Sequence, residues 1–159
     1  MTVYHGTAVD FPSVDLAKSR DRRDFGRGFY TTTIFDQAAS WAKNVLTRYG
    51  GAGQFVKVYE FEVLDGLKVK RFEGMTREWL DFVKENRVKG GVQHEYDIVI
   101  GPVANDNTMR TIMFYISGVY TAEMALEQLR FFKVNDQVSF HTARALSCLK
   151  SIRTEVLNG

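Results

Sequence analysis

The chain has 159 residues, of which 45% are hydrophobic and 25% charged, and this is the size and composition of one soluble globular domain. A net charge of +2 is too small to indicate nucleic acid or an anionic membrane as the partner. The single cysteine, Cys148, excludes an internal disulfide and fits a reducing compartment. With no apolar run of about 18 residues and no signal-peptide features in residues 1–5, we expect a cytoplasmic protein without membrane contact.

The N-terminal third is predicted to contain a strand, a long loop and a helix. Residues 2–5 are β-prone and end at Gly6, which predicts a short strand followed by a turn. Residues 12–28 show no periodicity and are rich in charges of both signs, which is typical of a loop. Apolar residues then recur at helical spacing over residues 36–49, with Asp36 as the expected N-cap and Gly50 as the stop.

The middle of the chain is predicted to form a hairpin and a second helix. Residues 54–64 alternate between apolar and charged positions, as a half-buried strand requires. Residues 67–72 are predicted to return as its hairpin partner across the turn Asp65-Gly66. A helix over residues 76–86, capped by Thr76, is expected to point three residues into the core, namely Trp79, Leu80 and Val83.

The remaining residues predict alternating strands and helices. The continuous apolar run in residues 96–103 is typical of a buried strand. Further elements are predicted, in order, as helices over residues 107–118 and 121–132, a strand over 137–141, a helix over 142–150 and a strand over 152–157. Antiparallel-type strands interrupted by helices indicate an α+β fold, and without a linker or repeat residues 1–159 are predicted to be one domain.

Three segments carry the clearest functional pattern. They are Tyr4-His5-Gly6-Thr7, the stretch Asp24-Phe25-Gly26-Arg27-Gly28-Phe29-Tyr30-Thr31-Thr32, and Trp41 on the following helix. Together they resemble the first two motifs of the ADP-ribosyltransferase superfamily in its His-Tyr-Glu branch, the poly(ADP-ribose) polymerase and diphtheria-toxin type. In that branch a strand ends in His-Gly, a Phe-Gly-Lys/Arg-Gly-hydrophobic-Tyr segment precedes a helix, and a second aromatic residue lies on that helix.

The family's third motif is altered in this chain. Its catalytic glutamate opens a late strand, and the comparable residue here is Gln137, in a strand whose side chains alternate between two faces. The chain therefore looks like a His-Tyr-Gln variant. Residues 96–106 and 140–146 are also similar to a sparsely characterised bacterial subgroup, so the resemblance extends from Tyr4 to Leu149.

The resemblance implies a split antiparallel sheet flanked by helices and an NAD-dependent mono-ADP-ribosyltransferase of bacterial or phage type. It also implies a toxin or effector role, with an antitoxin protein as a possible partner. NAD is the substrate, and the acceptor can be protein, nucleic acid or a small molecule. The implied catalytic triad is His5, Tyr30 and Gln137. The residues implied to contact NAD are His5, Gly6, Thr7, Arg27, Gly28, Phe29, Tyr30 and Trp41.

The chemistry of NAD cleavage is compatible with so few titratable groups. Nicotinamide leaves as a neutral molecule from a cationic pyridinium, so no general acid is needed, and the site must instead orient the ribose and stabilise an oxocarbenium-like transition state. We expect Tyr30 and Trp41 to sandwich the ring, and the bare backbone of Gly6 to approach the carboxamide. His5 and Gln137 are expected to bind ribose hydroxyls. The pyrophosphate is expected to meet one of three arginines, Arg22, Arg23 or Arg27.

Several alternatives remain open at this stage. Gln93-His94-Glu95 matches the Gln-x-Glu pattern of the superfamily's Arg-Ser-Glu branch, with Thr31-Thr32-Thr33 in place of Ser-Thr-Ser, and Asp136 is a further substitute carboxylate. A binding module that retains the NAD or ADP-ribose pocket without activity is a second hypothesis. An RNA 2′-phosphotransferase-like activity is a third, and it would require several arginines around the pocket. No metal is expected, since the three histidines are far apart in sequence and lack cysteine or His-Glu-x-x-His companions.

Overall fold

A computed structural model describes residues 1–158. These residues form seven strands and five α-helices, and a short 3-10 helix, Leu16–Lys18, lies in the long first loop. The strands are β1 (Thr2–Thr7), β2 (Phe29–Thr32), β3 (Gln54–Phe61), β4 (Val69–Arg71), β5 (Ile98–Pro102), β6 (Asp136–Phe140) and β7 (Leu149–Leu157). The α-helices are α1 (Phe35–Tyr49), α2 (Arg77–Lys89), α3 (Asp106–Ile116), α4 (Ala122–Leu129) and α5 (Ala143–Leu146).

The seven strands form one mixed sheet in the order β4-β5-β6-β2-β1-β3-β7. All neighbouring pairs are antiparallel except β4 and β5, which run parallel. The α+β class predicted from the sequence is confirmed, and the fold is a single domain with a continuous sheet. Strand β2 lies in the middle, between β1 and β6, so the two segments that carry the proposed first and third motifs flank the second.

The predicted hairpin over residues 54–72 is wrong. The chain does turn at Asp65-Gly66, but β4 then lies at the far edge of the sheet, where Val69 pairs with Ile98 of β5. Strand β3 instead pairs with the longer β7 over its whole length, from Gln54 with Leu157 to Phe61 with Leu149. The edge of β3 that was predicted to pair with residues 67–72 is therefore occupied by β7, a strand of nine residues that is distant in sequence.

Several element boundaries also differ from the prediction by a few residues, and two of these differences have a clear local cause. Helix α1 begins after Ile34, so Asp36 is not the N-cap. Asp36 lies in the first turn, where its carboxylate interacts favourably with the helix dipole. The helix predicted for residues 142–150 is limited to α5, because β7 already begins at Leu149. Cys148 lies between α5 and β7 and is buried among apolar side chains, as expected of a small hydrophobic residue.

Apolar side chains cover both faces of the sheet. Helices α2, α3 and α4 pack together, with Trp79 fully buried and its indole N–H donating to the Pro102 carbonyl over 2.7 Å. Helix α1 packs on β3 through Ala38, Val56 and Val58. Within residues 1–158, no helix has the length and apolar character needed to cross a bilayer.

Candidate functional site

His5, Tyr30, Trp41 and Gln137 line a single small cavity, which we call the inner cavity. His5 lies on β1, Tyr30 on β2 and Gln137 on β6, which are adjacent strands, and Trp41 lies on α1. The structure therefore brings together all three residues of the proposed triad and the second aromatic residue. The inner cavity measures about 30 Å³, which is room for about one water molecule.

The tautomer of His5 follows from its hydrogen bond. Its Nδ1 lies 2.7 Å from the backbone carbonyl oxygen of Tyr30, and since a carbonyl only accepts, Nδ1 must carry the proton. Burial lowers the pKa of His5 to about 4, with Arg23 and Lys57 acting in the same sense. His5 is therefore neutral at pH 7, and its Nε2 is free to accept a hydrogen bond from a hydroxyl group.

Tyr30 is fixed by its hydroxyl group. The hydroxyl donates to the Gly26 carbonyl over 2.6 Å and accepts from the Phe25 N–H over 2.9 Å. Burial raises the pKa of Tyr30 far above its usual range, so the phenol stays protonated. With the hydroxyl occupied in this way, the ring face is the part of Tyr30 that a ligand can use.

Arg23 occupies the aromatic part of the site. Its guanidinium carbon lies 4.1 Å from the Tyr30 ring centroid and 5.2 Å from that of Trp41, so it makes cation–π contacts with both rings. Among residues 1–158, the buried Nη2 of Arg23 has no hydrogen-bond partner. A planar cation is thus already present beside the two rings that were predicted to hold the cationic nicotinamide.

Gln137 is buried on β6, where it pairs with Thr32 of β2 and Gly101 of β5. None of the described residues that line the inner cavity is acidic. Of the two substitute carboxylates considered from the sequence, Asp136 is exposed at the start of β6, and Glu95 is 91% exposed and 3.8 Å from Lys68. Neither lines the inner cavity, so of the three residues considered for this position only Gln137 lies there.

Two larger cavities adjoin the inner cavity. The first, of about 600 Å³, lies under the loop that follows β1, and we call it the loop cavity. Of the predicted NAD contacts it is lined by His5, Gly6, Thr7, Gly28, Phe29, Tyr30 and Trp41. Arg27 is not among the lining residues of any of these cavities, since its side chain reaches the Ala17 carbonyl at 3.3 Å and lies 3.6 Å from Asp21.

The second, of about 480 Å³, is the arginine cavity. Five arginines line it, namely Arg20, Arg22, Arg23, Arg48 and Arg87. It shares Gln137 and Trp41 with the inner cavity. Arg23 and Trp41 line all three cavities and so mark the point where they meet.

The predicted loop of residues 12–28 is held in place at its C-terminal end. The buried carboxylate of Asp24 accepts from Arg87 Nε and from the Ala104 N–H, each over 2.6 Å. Asp21 accepts from the Gly91 N–H over 2.6 Å. Arg22, between them, has a φ of 56° and donates to two carbonyls at the end of α2. Arg23 therefore projects from a fixed backbone.

The two motif glycines are required by protein packing. A Cβ on Gly6 would lie 2.0 Å from the Ala38 carbonyl oxygen, and one on Gly28 would lie 2.6 Å from His141 Nδ1. The expectation that Gly6 is bare in order to admit the carboxamide therefore needs correction, because its missing side chain makes room for α1. Gly6 still lines the inner and loop cavities with its backbone.

His141 is a residue that sequence reasoning did not assign to the site. Its Nδ1 donates to the Arg27 carbonyl over 2.9 Å, and its Nε2 accepts from the Ser139 hydroxyl over 2.7 Å. Its ring meets that of Tyr30 edge-on at 6.1 Å, and burial lowers its pKa to about 4. The sequence signal that could have identified His141 is the strand alternation that places Gln137, Ser139 and His141 on one face. Among residues 1–158 no cluster of metal-ligating side chains occurs.

This arrangement defines an α+β protein with a small cavity at the centre of its sheet, where none of the described lining residues carries a carboxylate, and two larger cavities flank it. The chain matches the model of a family described as "Protein of unknown function (DUF3990)" over residues 1–151, and it belongs to that family. Comparisons with curated proteins and with solved structures found no match.

Proposed function

We propose that the protein is an NAD-dependent mono-ADP-ribosyltransferase with His5, Tyr30 and Gln137 as its core residues. The observation that carries this proposal is the convergence of these three residues and Trp41 on one cavity, from three adjacent strands and the following helix. The order of the segments in the sheet supports it further, because the strand with Tyr30 lies between those with His5 and Gln137.

In this reaction the bond between C1 of the nicotinamide ribose and the ring nitrogen breaks, and nicotinamide leaves with the bonding electron pair. An acceptor oxygen or nitrogen bonds to C1 and releases its proton to solvent. Neutral His5 accepts a hydrogen bond from a ribose hydroxyl through Nε2, and Gln137 orients the nicotinamide ribose. An amide supplies a dipole but no negative charge, so the oxocarbenium-like transition state is stabilised less than by glutamate, and we expect slow single transfers.

The test is nicotinamide release from labelled NAD, together with NAD binding by calorimetry. We expect release by the wild type, and a loss of about a hundredfold in Gln137→Ala with NAD binding largely retained. Gln128→Ala, an exposed residue on α4, is the matched control and should not change release. Binding without release in the wild type would favour a non-catalytic NAD-binding module. Release that Gln137→Ala leaves unchanged would show that Gln137 is not one of the core residues.

Arg23 is expected to compete with nicotinamide for the aromatic rings. The inner cavity has no room for a pyridine ring while the guanidinium contacts Tyr30 and Trp41, so this side chain must move when NAD binds. Arg23→Ala removes a cation–π contact of about 1 kcal/mol and a like charge, so nicotinamide riboside should bind roughly tenfold more tightly. Isothermal titration measures this, with Arg110→Ala, an arginine over Phe114 on α3, as the control. Weaker binding to Arg23→Ala would show that Arg23 assists the ligand.

An RNA 2′-phosphotransferase-like activity is the second candidate. It required arginines around the pocket, and the five that line the arginine cavity favour it. In that case an oxygen of the RNA 2′-phosphate bonds to C1 of the nicotinamide ribose as nicotinamide leaves. The phosphate then passes from the RNA 2′-oxygen to a hydroxyl of the ADP-ribose, and the RNA keeps a 2′-hydroxyl. Loss of labelled 2′-phosphate from the RNA, measured with and without NAD, separates this reaction from ADP-ribose transfer.

A toxin role, with an antitoxin protein that restrains it, is part of the leading proposal. Expression of the wild type in a bacterial host should then slow growth, and expression of His5→Ala should not. Equal growth with both proteins, at equal soluble yield, would contradict the toxin role and leave the enzymatic proposal to the nicotinamide assay.

A further inference from the structure

We propose that the arginine cavity binds a single-stranded nucleic acid, whose phosphates contact Arg20 and Arg48, as the acceptor of the transferase. This inference rests on the proposed function and names the acceptor class for the same site. It starts from the continuity of the cavities, because Gln137 and Trp41 line both the inner cavity and the arginine cavity. A ligand in the arginine cavity therefore lies next to the residues expected to orient the nicotinamide ribose.

The local charge differs from that of the whole chain. The net charge of +2 is small, yet five arginines and only two acidic residues, Asp21 and Asp106, line this one cavity. Charge concentrated on the walls of a cleft attracts an anion far more effectively than the same charge spread over the surface.

Not all of these arginines are free to bind a ligand. Arg22 donates to the carbonyls of Arg87 and Val88 at the end of α2, and Arg87 is bound to buried Asp24. These two maintain the fold. Within residues 1–158, the one ion pair of Arg48 is an exposed pair with Asp106 at 3.3 Å, which contributes little and exchanges readily for another anion.

Arg20 and Arg23 complete the set of available cations. Among residues 1–158, the hydrogen bond and the cation–π contact of the exposed Arg20 are both with Tyr49, with its guanidinium carbon 4.0 Å from the ring centroid and Nη1 3.2 Å from the phenol oxygen. Arg23 presents the buried Nη2 that has no partner among residues 1–158. An unpaired buried donor is costly, so an acceptor oxygen placed here by a ligand would be favourable.

Aromatic and apolar side chains between the arginines point to nucleic acid in particular. Trp41 and Tyr49 line the cavity together with Val45, Val103 and Met109. Guanidinium groups that alternate with aromatic rings provide phosphate contacts and stacking surfaces at once, which is how proteins bind single strands. An acidic peptide would use the charges but not the rings.

The first experiment measures binding of labelled single-stranded RNA and DNA of about 12 nucleotides by fluorescence anisotropy, without NAD. We expect Arg20→Ala/Arg48→Ala to weaken binding about tenfold or more. It should also make the dependence of log K on log salt shallower by about 1.4, since each lost phosphate contact removes about 0.7. The control is Arg130→Ala/Arg153→Ala, two exposed arginines paired with Glu127 and Glu155, outside the cavity.

An unchanged salt slope, an equal loss in the control, or no binding at about 50 mM salt would overturn the inference. A second experiment supplies labelled NAD together with the oligonucleotides, some carrying a terminal phosphate or a 2′-phosphate. Transfer of ADP-ribose to an oligonucleotide supports the inference, whereas removal of a 2′-phosphate from it, or label found only on protein, overturns the inference. Oligonucleotide binding is measured without NAD. If the proposed NAD chemistry fails, the binding result therefore still shows whether the arginine cavity binds nucleic acid.

Discussion

Replacing Asp24 with alanine is expected to lower the free energy of unfolding by about 3–5 kcal/mol. The carboxylate is fully buried and accepts from Arg87 Nε and from the Ala104 N–H, each over 2.6 Å. Without it, a partly buried guanidinium and a buried amide both lose their acceptor. Chemical denaturation followed by circular dichroism measures the change.

The matched control for this substitution is Asp65→Ala, an exposed aspartate in the turn after β3, which should change stability by no more than about 0.5 kcal/mol. Asp24→Asn keeps an acceptor oxygen and should fall between the two. A loss of less than about 1 kcal/mol in Asp24→Ala would mean that the loop is not held by this carboxylate. The same variant should loosen Arg23, whose backbone adjoins Asp24, and so alter nicotinamide riboside binding.

Stability is also expected to fall steeply as the pH is lowered from about 6.5 towards 4. Burial lowers the pKa of both His5 and His141 from 6.5 to about 4, so the unfolded chain takes up protons in this range and the folded chain does not. The stabilisation is complete above pH 6.5 and is lost on acidification. At pH 5 the loss should be about 2 kcal/mol for each histidine.

Denaturation at pH 8, 7, 6 and 5 tests this expectation. His5→Gln should remove about half of the change between pH 7 and 5, while the wild type should be nearly constant between pH 7 and 8. His94, whose ring lies 4.8 Å from that of His141 and whose pKa burial also lowers, adds to the effect in the same direction. Equal stability at pH 7 and 5 would show that these imidazoles can be protonated in the folded state.

The sequence was most informative in the segments that carry the motifs. The motif segments place His5 at a strand and Tyr30 before a helix, and the structure puts both at the inner cavity with Gln137. The contact of Arg23 with the rings of Tyr30 and Trp41 could not be predicted. The position of Arg23 depends on the turn at Arg22 and on the binding of Asp24 to α2 and to Ala104, between β5 and α3. These contacts join parts of the chain that are far apart in sequence.

Strand pairing likewise could not be predicted, because it depends on contacts between distant segments. The turn at Asp65-Gly66 was visible in the sequence, but whether β3 pairs with the next strand or with β7 depends on a competition between distant segments. Periodicity gave the buried faces of α2 and β5 correctly, because burial of Trp79 or Ile98 follows from apolar spacing alone. It overextended the helix at 142–150, where apolar spacing continues into a strand.

The tight approach of β1 to α1 determines which parts of the site can vary. A side chain on Gly6 would overlap the backbone of α1 at Ala38 and at Ala42, one residue beyond Trp41, so β1 and α1 are joined at backbone distance. His5 and Trp41 consequently belong to one rigid wall, whose spacing cannot be adjusted by exchanging side chains. Side chains of the loop before β2 line the larger loop cavity, and Arg23 of this loop lines all three cavities. Ligand preference can therefore change through substitutions in that loop, while the wall formed by β1 and α1 stays constant.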